Sequence, residues 1–414
     1  MRQLSSSLIA LLIATMAFGC APEALFPDDP DADALTAVLS AAEGSESSQE
    51  NSSSPANQPA PDETPPPPSD TTRYFNGSVG GGGDYRLFEL GRGTIGDEWV
   101  INLPNPLSSP FVVVLLDENQ SMLMRTYMTY NSSLHHVLRE DTGQLYLGIM
   151  PPAGSNGGGF RLKGTFKTAQ SVPAPRPQVV WLNFDGGTDV RVHHRDPLSF
   201  GPFDGTQIDE DYAGHTQEMK DVILEQMQAD YAPYNVMILS SDDTPFPTGD
   251  CSIIHFGGAE PGLLGLADNV DNYNGRLTQN ACVYVENFAP YWTMRLEPDE
   301  MAVMVANVAS HELGHLLGLY HTVDPDDLMD TTGSAWDLAE DQGFVGGPLE
   351  PTVFATGWED TPALLEAIVG PNPNPQKDGT REKSAKAATY KAIRRFAQEE
   401  ISSKCGTCLS LAYE

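Results

Sequence analysis

Eleven residues, His311-Glu312-Leu313-Gly314-His315-Leu316-Leu317-Gly318-Leu319-Tyr320-His321, restrict what this chain can become more than any other feature of it. In a helix, His311 and His315 stand one turn apart on one face, so their imidazole nitrogens meet on a single ion without backbone distortion. Gly318 can take a positive φ, which ends the helix and swings the chain back, so that His321 approaches from another direction as a third ligand. Three neutral nitrogens and one open position make the donor set of a catalytic rather than a structural zinc site, and Zn²⁺ is the expected cofactor. Glu312 follows the first ligand directly. It can stand beside the open position as the base that takes a proton from a metal-activated water.

The block resembles the metal-binding motif of the metzincin clan of zinc endopeptidases, and the match continues beyond it. Members place a methionine in a tight turn beneath the metal; Asp327-Leu328-Met329-Asp330 supplies Met329 eight residues after His321, the interval of the matrixin-like branch. Thr331 stands where astacin-like and serralysin-like members carry a tyrosine that reaches the metal, which implies a water as the fourth ligand. The resemblance implies an α+β catalytic domain with a mixed sheet and a long active-site helix, and hydrolysis of peptide bonds in polypeptide substrates. It implies metal ligation by His311, His315 and His321, general-base catalysis by Glu312, and structural support from Gly318 and Met329. Substrate would join an exposed sheet edge above the metal. Gly262-Leu263-Leu264-Gly265-Leu266-Ala267 suits that edge, with an ordinary glycine-rich loop as the alternative.

Residues 178–370 have the pattern that such a domain needs. Val179 to Phe184, Asn235 to Leu239, Ser252 to Phe256 and Cys282 to Val285 read as strands. Met219, Val222, Ile223 and Met227 recur at helical spacing, and a long helix begins near Pro298. Asp268, Asp271 and Asn274 lack a full loop signature and read as a solvated acidic turn, with a structural Ca²⁺ as the alternative. Upstream, residues 73–168 carry short β-rich runs, Phe111 to Leu116 the most apolar, separated by Gly, Asn, Asp and Pro turns, and so read as a small all-β sandwich. Asp84-Tyr85-Arg86-Leu87-Phe88 and Gly96-Asp97-Glu98-Trp99 resemble the pre-peptidase sandwiches that accompany secreted bacterial proteases; an unrelated spacer is the other reading.

With 23 Lys+Arg against 57 Asp+Glu, the chain carries a formal charge of −34, which argues against nucleic acid or an anionic membrane held by bulk electrostatics. Arg2 and the apolar run Leu8 to Phe18 read as a signal peptide over 1–20, too short to span a bilayer. Its end, Ala17-Phe18-Gly19-Cys20, resembles the lipobox of bacterial lipoproteins, although that family usually carries Leu where Ala17 stands. Cys20 is then the lipidated residue and the anchor is the sole membrane contact; ordinary cleavage and secretion is the alternative. Residues 21–72 hold no Lys or Arg and include Pro65-Pro66-Pro67-Pro68, the composition of a disordered acidic spacer. Export places the protein in the cell envelope or outside it, an oxidising compartment in which Cys251 with Cys282 and Cys405 with Cys408 are the expected disulfides. Residues 371–414 read as a linker, a basic amphipathic helix and a CxxC tail. The competing function is a surface-binding lipoprotein in which the sandwich recognises a partner and the protease fold is vestigial.

Overall fold

The computed structural model describes residues 71–105 and 109–374. The signal segment with Cys20, the spacer up to residue 70, the basic helix, Cys405 and Cys408 lie outside the described residues. The described chain opens with eight strands: β1 (Thr71–Gly80), β2 (Arg86–Gly93), β3 (Glu98–Asn102), β4 (Phe111–Leu116), β5 (Met122–Met128), β6 (Ser133–Val137), β7 (Thr142–Met150) and β8 (Gly157–Lys167). They form two four-stranded antiparallel sheets, ordered β1-β8-β3-β6 and β2-β7-β4-β5. Phe75, Trp99, Ile101, Phe111, Val113, Leu115, Leu147 and Leu162 fill the space between them, which makes the expected sandwich.

All six residues of β4 are buried. Side chains alternate across a strand, so Phe111, Val113 and Leu115 face the sandwich core while Val112, Val114 and Leu116 face the other way. That second face is covered by Tyr320, Leu349, Val353 and Phe354 from the following part of the chain. A strand buried on both faces needs no polar alternation, which is why the sequence there is an unbroken apolar run.

The second part contains β9 (Gln178–Asn183), β10 (Gly187–Val190), β11 (Leu198–Phe200), α1 (Thr216–Asp230), β12 (Val236–Ser240), β13 (Ser252–Phe256), β14 (Gly265–Ala267), β15 (Asn280–Val283), α2 (Pro298–Leu317), α3 (Ala335–Leu338) and α4 (Thr361–Val369). Five strands make a mixed sheet in the order β12-β9-β13-β15-β14. The first four run parallel, and β14 closes the end antiparallel to β15. This is the expected α+β domain. Helix α2 starts with Pro298 in its first turn and a reciprocal Glu297–Glu300 capping box, two devices that satisfy or remove amide donors otherwise left open. From Met304 to Leu317 every residue of α2 is buried. Such a helix is apolar nearly all round; buried Asn307 and Ser310 bond to Leu338 O and Asp230, while the titratable His311, Glu312 and His315 stand out as chemistry rather than solvation.

The expected Cys251–Cys282 disulfide is not formed; both thiols are free and buried. Parallel pairing of β13 with β15 sets Cys282 beside His255, four residues along from Cys251. At about 3.3 Å per residue that offset is about 13 Å, beyond the roughly 4.4–6.8 Å that a disulfide spans between Cα atoms. Each thiol is instead turned to a backbone carbonyl, Cys251 to Ser252 O at 3.3 Å and Cys282 to Gly257 O at 3.6 Å.

Candidate metal centre

Helix α2 ends at Gly318, whose φ of 107° is left-handed and whose N–H donates back to the Gly314 and His315 carbonyls. The chain therefore reverses at once, and residues 319–331 fold back under the helix as a closed loop. Thr322 N donates to Met329 O at 2.9 Å, and Asp330 N to Asp327 O at 3.0 Å, closing the tight turn that carries Met329. Met329 is fully buried, and its sulfur lies 2.6 Å from where a Cβ on Gly314 would stand. The methionine thus packs directly under the turn of helix between the two helical histidines, as the motif requires.

One ring nitrogen from each of His311, His315 and His321 lies within 4.8 Å of the others, the one group of three or more His, Cys, Asp or Glu among the described residues that could hold a metal ion. His311 Nδ1 is 2.7 Å from Leu328 O and His315 Nδ1 is 2.9 Å from Leu319 O. A carbonyl only accepts, so each Nδ1 carries the proton and each Nε2 presents a lone pair. His315 Nε2 and His321 Nε2 are 3.0 Å apart. Two nitrogens bonded to a tetrahedral zinc at about 2.0–2.1 Å would be about 3.3–3.4 Å apart, so the donor set fits that ion. Burial, with a smaller contribution from the His321 charge, pushes His311 down to about 3. Burial and both neighbouring imidazoles hold His315 well below the ordinary histidine range. Both are neutral at physiological pH, the state that ligates metal.

Glu312 is buried, and its carboxylate faces the sheet end: a Cβ on Gly265 of β14 would lie 2.7 Å from Glu312 Cγ and 2.8 Å from Cδ. The expected base and the expected substrate edge are therefore in contact. Sequence reasoning missed the carboxylates that hold the loop. Asp327, buried, accepts from Thr322 Oγ1 at 2.8 Å, Val345 N at 3.0 Å and Gly346 N at 3.1 Å. Glu359, also buried, receives Tyr320 N on both oxygens, at 2.9 and 3.0 Å. Glu350 Oε2 stands 3.5 Å from His321 Nδ1. No spacing rule in the sequence marks any of the three.

The structure gives no support to a Ca²⁺ at Asp268, Asp271 and Asn274 and fits the acidic-turn reading. Asp268 accepts from His193 N at 2.8 Å and Asn280 N at 2.7 Å, and Asp271 accepts from Arg276 N at 2.7 Å. The Asp268 oxygens tie distant backbone segments together, the Asp271 oxygen closes a local turn, and Asn274 Nδ2 donates to Arg176 O at 3.0 Å. The other histidines also have local roles: His255 bonds Asn183 at 2.9 Å, His215 bonds Glu218 at 2.7 Å, and buried His136 packs on Tyr273 with ring centroids 5.2 Å apart.

Residues 182–341 match the family model described as Matrixin. With the histidine triad, this match makes that part of the chain metzincin-like, a zinc metalloprotease fold. Solved structures similar to parts of the chain include archaemetzincin from Methanopyrus kandleri, 17% identical, with a TM-score of 0.23, covering 41% of this chain and 89% of that one. The periplasmic g-type lysozyme inhibitor PliG of Aeromonas hydrophila is 9% identical, with a TM-score of 0.20, covering 24% of this chain and 87% of its own. The Yersinia pseudotuberculosis-derived mitogen is 10% identical, with a TM-score of 0.19, covering 25% and 89%. No curated protein matches the chain.

Proposed function

We propose that the chain is a zinc-dependent endopeptidase acting on polypeptides outside the cytoplasm, with His311, His315 and His321 as ligands and Glu312 as general base. The observation that supports this most is the convergence of three imidazoles, two of them fixed by carbonyls so that Nε2 is the free nitrogen. When bound, zinc supplies a Lewis acid for the scissile carbonyl and lowers the pKa of a water to about 7. Glu312 accepts that water's proton and returns it to the leaving amine nitrogen. End strand β14 offers its outer backbone groups to an extended peptide, which fixes the scissile bond beside the carboxylate that Gly265 touches. Gly318 sets the direction of the third ligand, and Met329 floors the site. Export through the first twenty residues, with anchorage at Cys20, belongs to the same reading and rests on sequence.

The test is zinc content and cleavage of an unfolded protein and a peptide library, with and without Glu312→Gln. The variant should keep its zinc and lose about 10²–10⁴-fold in turnover. Turnover unchanged by Glu312→Gln, or none from a zinc-loaded parent over a broad library, would sink the proposal and favour a binding protein.

A further inference from the structure

His311 and His315 are oriented by carbonyls of the loop that follows their own helix, whereas His321 faces a carboxylate. Glu350 grips the third histidine twice: its Oε2 is 3.5 Å from Nδ1, and its N–H donates to His321 O at 3.0 Å. Thr352 Oγ1 donates to the same Oε2 at 2.6 Å, and the Glu350 carbonyl closes a turn by accepting from Val353 N at 2.8 Å. A histidine whose second nitrogen meets a carboxylate is a more basic ligand with a fixed ring plane.

The Glu350 turn is in turn fastened from outside the peptidase fold. Arg125 of β5 is buried at 4% exposure, and its Nε donates to Val353 O at 3.0 Å. Its guanidinium lies 5.0 Å from the centroid of the Tyr320 ring, the residue just before His321. The Arg125 carbonyl accepts from Asn272 Nδ2 at 3.0 Å, and Tyr273 OH donates to Leu123 O at 2.8 Å. Residues 271–273 are the backbone packed against Gly318. Strand β5 therefore touches both supports of the third ligand, the glycine turn before it and the carboxylate turn beside it.

We infer that the sandwich is a working part of the metal centre: Glu350 orients His321 for metal binding, and Arg125 of the sandwich holds the Glu350 turn and Tyr320 in place. Both are positioning residues, and the inference rests on the zinc reading of the site. Its test uses the full chain and reads metal affinity rather than turnover. Zinc dissociation constants from chelator competition, and the visible spectrum of the cobalt form, are compared for the parent, Glu350→Gln, Glu350→Ala, Arg125→Met and Arg125→Lys. Metal-free thermal unfolding of each checks the fold. Lys167→Ala, which breaks an ion pair with Glu98 elsewhere on the sandwich, serves as control.

Glu350→Ala should weaken zinc binding about 10–100-fold and broaden the cobalt bands, with Glu350→Gln between it and the parent. Arg125→Met should weaken binding about 10-fold, while the control leaves it unchanged. If Arg125→Met does not fold, Arg125→Lys carries the test, because it keeps the charge but not the planar fork. Arg125 variants that fold and bind within about twofold of the parent overturn the sandwich's part, and Glu350→Ala doing so overturns the whole. A parent that takes up no zinc at the three histidines overturns the underlying reading instead, which separates the two failures.

Discussion

The left-handed turn at Gly318 is where helix geometry becomes ligand geometry, and replacing it by alanine carries two costs. At φ 107° a Cβ crowds its own backbone, which costs about 1–3 kcal/mol. The same carbon would lie 2.7 Å from Asp271 O, 3.0 Å from Asn272 Cα and 3.0 Å from Tyr273 N. All three are backbone atoms, so no side chain can swing aside, and overpacking adds about 1–3 kcal/mol. The sum is about 2–6 kcal/mol. With an unfolding entropy of about 2.1 cal/mol/K per residue over about 300 described residues, roughly 0.63 kcal/mol/K, the melting temperature should fall by about 3–10 °C. Calorimetry of metal-free Gly318→Ala measures this without any contribution from metal affinity. A melting temperature within about 1 °C of the parent would refute the turn as drawn, and with it the route by which His321 reaches the site.

Other consequences follow from buried groups. Burial, with Arg139 and His135 adding to it, lowers His136 to about 3; an unfolded histidine titrates near 6.5, so the native state binds fewer protons and stability is lost as pH falls from about 6.5 towards 3. The loss is of the order of 4 kcal/mol, and His136→Phe should flatten that limb of a pH series of urea melts; an unchanged slope would refute the burial argument. Burial, with the Asp327 charge behind it, raises Glu359 well above the ordinary carboxyl range, against the opposing Tyr320 hydrogen bond. The sign is opposite: the native state holds a proton that the unfolded chain releases above about 4.5, so stability falls as pH rises. Glu359→Gln, the isostere of the protonated form, should gain about 1–3 kcal/mol at pH 7 and nothing at pH 4; a loss of several kcal/mol at pH 7 would mean that the group is ionised and compensated. Burial lifts the thiols of Cys251 and Cys282 to about 11 and about 12. Alkylation followed by peptide mapping should label neither in the native protein and both after unfolding without reductant, whereas a need for reductant would restore the disulfide.

What the sequence makes legible is what lies close along it. The three histidines sit within eleven residues because one helix turn and one glycine reversal suffice to bring their imidazoles together, so spacing alone carries the geometry. Strands dominated by apolar residues, β4, β9 and β13, are visible for the same reason: local burial writes a local pattern. Strand β1 is not, because only Phe75 and Val79 of its ten residues are buried. Pairing the cysteines by number and compartment ignores register, and the parallel alignment of β13 with β15 sets Cys251 and Cys282 apart.

Glu350 and Arg125 illustrate the limit from the other side. Arg125 meets Val353 across a separation of 228 residues, and a buried arginine inside a strand violates the alternation by which strands are recognised. The Phe111 to Leu116 run does signal that the sheet has two covered faces, since a strand with one face in water would place polar residues at Val112, Val114 and Leu116. A covered face says that something packs there, and only the folded chain says what: here Tyr320, Leu349, Val353 and Phe354, beside the third histidine of the triad. An unbroken apolar strand in an otherwise alternating sandwich is therefore evidence against an independent spacer. Burying that face against the loop around His321 gives the chain an apolar contact that also fixes where the third imidazole stands.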